Sequence, residues 1–292
     1  MGSPLNVEPQ TPEATRLALG ATMFHWGLHP WAIYAVVGLS LAFFHFNKKL
    51  PLTIRSVFYP LLKERTWGWV GHIIDTTAVL ATIFGLATSL GFGAQQAAAG
   101  LNFLFDIPNT INTQIAIIVG ITSVAILSVV RGINGGVKIL SNINMIIAFV
   151  LLMFVIVVGH GFSIFSSIAT TATAYAENFI PLSSWFDRED EKFYHGWTVF
   201  YWAWWISWSP FVGMFIARIS KGRTVREFIT SVLLVPTALS IVWMSTFGGT
   251  ALDQVKNKVG QLSDGLTEVP LALFQMLENL PLFELTSFIA II

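Results

Sequence analysis

Five of the eleven tryptophans fall within the twelve residues from Trp197 to Trp208, inside the run GWTVFYWAWWISWSPF. Indole is large, has an electron-rich face and carries an N–H that needs a partner. Trp202, Trp204, Trp205 and Trp208 in one apolar stretch therefore fill a core poorly. They can, however, hold a cation that offers no hydrogen-bond donor, such as a quaternary ammonium, through cation–π attraction. On a helix of about 100° per residue, Trp197, Trp204, Trp205 and Trp208 share an arc of roughly 100° and could line one wall.

A second aromatic group, Trp26, Trp31 and Tyr34, spans roughly 140° of a helix in the run FHWGLHPWAIY and could form the facing wall. The plainer alternative is an aromatic belt at the membrane interface. Trp204, Trp205 and Trp208 lie two to three turns deeper than such a belt reaches. The segments carrying both groups contain no Asp or Glu. A cage without a counter-ion suits a zwitterion better than a bare cation, because the substrate brings its own carboxylate. Pro30 and Pro210 free backbone groups that could meet that carboxylate.

Thr82, Thr88, Ser89, Ser207 and Ser209 offer oxygens for Na⁺, although hydroxyls in spans commonly bond back to their own helix. His25, His29 and His195 fit no metal spacing and are expected to pack at helix ends. No phosphate-loop, nucleophile-elbow or zinc-protease pattern occurs, and Gly91-Phe92-Gly93 lacks the context of a dinucleotide fingerprint. Neither catalytic residues, a resident metal nor a nucleic-acid partner is expected.

The elements that must position these aromatics follow from composition. The 292 residues are 54% hydrophobic and 11% charged, against about 25% charged in soluble domains. Asp, Glu, Lys and Arg are missing from 17–47, 76–105, 107–130, 139–176, 193–217 and 228–252, each longer than the ~20 residues a spanning helix needs. The expected fold is an all-α polytopic membrane protein in one transmembrane domain. Its spans are expected at 22–46, 70–93, 112–130, 139–170, 196–217 and 228–252, with a partial seventh at 280–292. A polar tail at 1–20 precedes them. The segment 51–63 reads as an amphipathic helix on the membrane surface. With no cysteine, disulfides are excluded.

Loops 48–75, 131–138 and 218–227 hold eleven of the sixteen basic residues and three of the sixteen acidic ones, so they are expected to be cytoplasmic. The tail and the acidic run DREDEK are then external. An external start without a signal sequence, and an apolar segment that reaches Ile292, are expected of the middle of a longer chain.

The runs HWGLHPWAIY (25–34), LPLTIRS (50–56), ATSLGFG (87–93) and GWTVFYWAWWISWSPFVGMFIARISKGRTVREF (196–228) closely resemble the betaine/choline/carnitine transporters. The resemblance implies a partial LeuT-type inverted-repeat transporter core, commonly trimeric, in which this chain supplies the fourth to ninth spans and the start of the tenth. It implies a substrate cage of Trp26, Trp31, Tyr34 and Trp205, with Trp202, Trp204 and Trp208 in the cage or its pathway. For a sodium-coupled member it implies an ion near Thr82 and Phe211, although Leu86 stands where a second hydroxyl is usual, so the coupling ion stays open among Na⁺, H⁺ and none. The expected activity is secondary transport of a quaternary-ammonium osmolyte, foremost glycine betaine, by a multi-pass protein of the bacterial inner membrane in contact with its lipid. Choline or carnitine exchange, and a non-transporting scaffold or osmosensor, are the alternatives.

Overall fold

The computed structural model describes residues 2–131, 136, 138–186, 188–266 and 268–292, and their side chains except those of His160 and Phe162. Most of the connection expected at 131–138, and Asp187 of the acidic run, lie outside them. The regular elements are all helical: α1 (Pro12–Trp26), α2 (Leu28–Ala42), α3 (Ile54–Val57), α4 (Tyr59–Leu62), α5 (Trp69–Phe105), α6 (Ile111–Val130), α7 (Lys138–Val155), α8 (Ile164–Ser183), α9 (Glu191–Phe193), α10 (Phe200–Ile219), α11 (Val225–Lys256), α12 (Ala272–Glu278) and α13 (Phe283–Ile291). Among the described residues, five stretches are long and apolar enough to cross a membrane: Pro12–Asn47, Trp69–Phe105, Ile111–Val130, Lys138–Gly159 and Val225–Lys256. The protein is an all-α polytopic membrane protein. Helix α10 is also 20 residues long, but its four tryptophans and one tyrosine carry polar N–H and O–H groups that make it less apolar than these five.

Several boundaries differ from the sequence expectations. The tail is helical from Pro12, where the Thr11 side chain accepts from the Ala14 N–H at 3.0 Å and proline takes the first turn. The span expected at 22–46 is interrupted at Gly27, whose φ of −100° and ψ of −132° are not helical. The charge-free stretch behind the span at 139–170 holds two helices, α7 and α8, separated at Gly161 (φ 53°). Between Lys48 and Trp69 the expected surface helix is reduced to the single turns α3 and α4, parted at Phe58. The span expected at 70–93 continues to Phe105, and 228–252 extends to Val225–Lys256. At the start of α11, Thr224 and Glu227 cap each other: the Glu227 N–H donates to Thr224 Oγ1 at 3.2 Å, and the Thr224 N–H to Glu227 Oε2 at 2.8 Å.

The chain divides into two compact units, one of residues 1–88 and 169–242 and one of 89–168 and 243–292. In the first, α2 packs along α10 around buried Tyr34, Ala35, Ile216 and Phe228, with Trp31, Trp205 and Trp208 against them. Glycine makes the approach close: a Cβ on Gly213 would lie 2.6 Å from Val37 Cγ1 and 3.1 Å from the Gly38 nitrogen. Small residues at crossings are how spans gain packing where lipid supplies no hydrophobic drive. In the second unit the core is Leu151, Val155, Leu262, Met276 and Leu277. Fully buried Phe274 sits where a side chain on Gly100 would have to go.

At the base of α5, a Cβ on Gly71 would fall on the Thr66 carbonyl, and Arg55 reaches Asp75 at 3.1 Å and lies 5.6 Å from the Trp67 ring. Ahead of α10, Arg188 grips both oxygens of Asp190 at 2.7 Å and caps the Leu182 and Ser184 carbonyls, while the Leu5 N–H donates to Asp190 Oδ2 at 2.7 Å. The two side chains are 7% and 1% exposed. Burial alone pushes the Asp190 carboxyl up, but the Arg188 and Leu5 hydrogen bonds outweigh it and hold the group below the usual range. This ion pair ties the N-terminal residues to the approach to α10.

Candidate functional site

The break between α1 and α2 builds the site. A proline in a continuous helix would drive its ring into the carbonyl four residues back, here that of Trp26. The chain turns at Gly27 instead, and Pro30 sits harmlessly in the first turn of α2. Glycine is required there, because a Cβ would lie 2.6 Å from the Met23 oxygen. The break ends the i to i+4 ladder, so the His25 carbonyl loses its helical donor and the Leu28 N–H its helical acceptor. Unpaired backbone groups are costly in a membrane. The Trp205 indole N–H donates to the His25 carbonyl at 2.9 Å, and the Leu28 N–H donates to the Tyr175 hydroxyl at 3.0 Å.

Trp205 is thereby fixed between the two halves of the broken helix. Trp26 meets it edge-to-face at 5.1 Å and 89°, and Tyr34 does so at 5.7 Å and 79°. Trp31 packs on Tyr34 at 5.5 Å, and Trp204 stacks near-parallel on Trp205 at 6.0 Å. Trp204 also meets Trp26 at 6.3 Å. Five of the seven aromatics expected at the site thus form one connected group. Its rings pack mostly edge-to-face in segments with no carboxylate, and their electron-rich faces are the kind of group that attracts a soft organic cation.

The other two have further neighbours. Trp202 packs on Phe24 at 5.0 Å and His25 at 5.7 Å and stacks over His29 at 5.9 Å. Trp208 joins the α2–α10 core and pairs with Phe211 at 5.9 Å. Thr82 donates its hydroxyl to the Ala78 carbonyl at 2.9 Å, and Phe211 is 58% exposed. Thr88, Ser207 and Ser209 also bond back to their own helices, at 2.7–2.9 Å. A hydroxyl so engaged keeps its lone pairs for an ion but is not oriented by one. Trp197 stacks on Tyr201 at 6.0 Å instead of joining the wall, because residues 194–199 form a widened turn that breaks the helical period. Among the described residues no three of His, Cys, Asp and Glu gather as metal ligands.

Sequence reasoning missed the groups that hold the cage. His25 stacks on Tyr201 at 4.7 Å and 15°, and its Nε2 meets Thr198 Oγ1 at 3.1 Å. Tyr175 comes from 147 residues away, a distance over which no periodicity speaks.

The apolar helices and the carboxylate-free cluster of aromatic rings define an all-α polytopic membrane protein. The betaine/carnitine/choline transporter family model matches residues 1–292, and the chain belongs to that family. It is 64% identical over 291 residues to glycine betaine transporter 1 of Vibrio parahaemolyticus, covering 99% of this chain and 55% of that protein. A glycine betaine/proline/choline/ectoine transporter of the same organism is 58% identical over 292 residues, 100% of this chain and 52% of the relative. A glycine betaine transporter of Bacillus subtilis is 44% identical over 288 residues, 98% and 56% of the two chains. The chain spans about half the length of these curated relatives.

Proposed function

We propose that the whole protein is a secondary transporter that carries a quaternary-ammonium osmolyte, foremost glycine betaine, into the cell by alternating access. The observation that carries this reading is Trp205 in contact with both Trp26 and Tyr34, with no acid in the stretches 17–47 and 193–217 that carry these rings. The trimethylammonium group sits against these faces, each worth about 1–2 kcal/mol once desolvated. The rings now touch one another, so substrate entry parts them, as the rocking of a bundle around a central site requires. Trp31 and Trp204 complete the cage, and Trp202 and Trp208 flank it. One Vibrio relative is a glycine betaine/proline/choline/ectoine transporter, but the lack of a counter-ion favours a substrate with its own carboxylate.

No bond is made or broken in this cycle, so the protein is not an enzyme and needs no cofactor. Na⁺ is the proposed coupling ion, with Thr82 and Phe211 as its candidate neighbours. The proposed setting is the bacterial inner membrane, with lipid around the spans and a homotrimer as the assembly.

Uptake of radiolabelled glycine betaine tests the reading. Cells lacking their own osmolyte transporters, given the full-length protein, should accumulate label saturably, and collapsing the sodium gradient should reduce the rate at least tenfold. Uptake no higher than in empty-vector cells would remove the proposal, and sodium-independent uptake would remove the coupling ion alone.

A further inference from the structure

Helix α8 lies outside the cage, and nothing in the transport reading gives it a part. It is nevertheless seated closely on α1. Arg16 grips Glu177 through two hydrogen bonds of 2.7 Å, and a Cβ on Gly20 would lie 2.8 Å from the Ala174 carbonyl. That seating delivers Tyr175 to the break at Gly27. A Cβ on Gly27 would come within 3.1 Å of both the ring and the hydroxyl of Tyr175.

The hydrogen bonds around this hydroxyl permit one arrangement. Ser183 donates to the Phe179 carbonyl at 2.5 Å, so its oxygen is left to accept from His29 Nε2 at 2.9 Å. A neutral His29 then has Nδ1 free as an acceptor, 3.3 Å from the Tyr175 oxygen. Tyr175 donates there and uses a lone pair for the Leu28 N–H at 3.0 Å. One hydroxyl therefore serves both the first backbone N–H and the second side chain of α2.

We infer that Tyr175 is a positioning residue for the substrate cage: its hydroxyl sets the angle between α1 and α2, and with it the placement of Trp26 against Tyr34 on either side of Trp205. Pro30 forces a break but fixes no direction. The direction comes from where the freed groups find partners. Trp205 takes the His25 carbonyl on one side of Gly27, and Tyr175 takes the Leu28 N–H on the other. Without the hydroxyl, an N–H within the membrane has no acceptor, and the cheapest remedy is to swing α2 until another is found. Trp31 and Tyr34 move with α2, and Trp26 stays with α1.

The inference rests on the transport reading, and Tyr175→Phe in the full-length protein tests it, with glycine betaine binding followed by tryptophan fluorescence. Tyr175→Phe is expected to raise Kd about tenfold, while Arg16→Gln, which loosens the α8 seat without touching the break, leaves Kd within twofold. Thermal unfolding of the two variants separates cage geometry from bulk stability, since both should lose a similar few degrees of Tm. A Tyr175→Phe protein that binds within twofold of wild type overturns the inference. One recovered only as aggregate overturns it too, because the hydroxyl would then serve folding. If wild type itself shows no saturable quenching, the transport reading fails instead.

Discussion

Trp205→Leu in the full-length protein should weaken glycine betaine binding by about 10- to 100-fold, the largest loss expected of any single ring in the cage. Two observations set that rank. Trp205 meets the cage rings of both halves of the broken helix, Trp26 at 5.1 Å and Tyr34 at 5.7 Å. Its N–H also occupies the His25 carbonyl that the break leaves free. Leucine has neither face nor donor, so a cation–π contribution of about 1–2 kcal/mol is lost together with the support that orients α1. Trp202→Leu is the contrast, because Trp202 packs on Phe24 and His29, away from the other rings. It should change Kd less than threefold. Titration calorimetry on both variants checks the ranking, and equal losses from the two would show that the tryptophans act through packing.

Gly213→Val should abolish measurable binding and cost about 1–3 kcal/mol of stability, as overpacking does in a filled interior. A Cβ there meets Val37 at 2.6 and 3.0 Å and the Gly38 backbone at 3.1 Å, with no flexible side-chain end to yield. Helix α10 must then withdraw from α2, and the withdrawal carries Trp205 from Tyr34. Gly213→Ala should fall between wild type and the valine variant in both Kd and Tm. A valine variant with wild-type affinity would show that the cage does not depend on this crossing.

Much of the site was legible because aromatic type and helical period act together. The spacing of Trp26, Trp31 and Tyr34 named one wall and that of Trp197, Trp204, Trp205 and Trp208 the other, and of the latter Trp204 and Trp205 meet Trp26. The same period leaves Trp202 off the arc shared by Trp204, Trp205 and Trp208, which agrees with its place beside His29. The position of the break was less legible. Pro30 marks it, but a proline acts on the carbonyl four residues earlier, so the chain bends where a glycine precedes it, at Gly27. The widened turn at 194–199 had no sequence marker and removed Trp197 from the wall. Charge-free length could not separate α7 from α8, since Gly161 carries no charge to mark the boundary. Partners chosen across the fold, such as Tyr175 for Leu28, are decided by packing that no local pattern records.

The central claim is that the cage recognises positive charge on a donor-free head group. Glycine betaine and 3,3-dimethylbutyrate share shape and carboxylate and differ only in nitrogen against carbon at the head. Competition of each against radiolabelled glycine betaine on the full-length protein isolates the charge. The cation–π cage predicts that the neutral-headed analogue binds at least tenfold more weakly, about the worth of one desolvated aromatic face. Equal competition by the two would contradict it and leave only a hydrophobic pocket with an anion site.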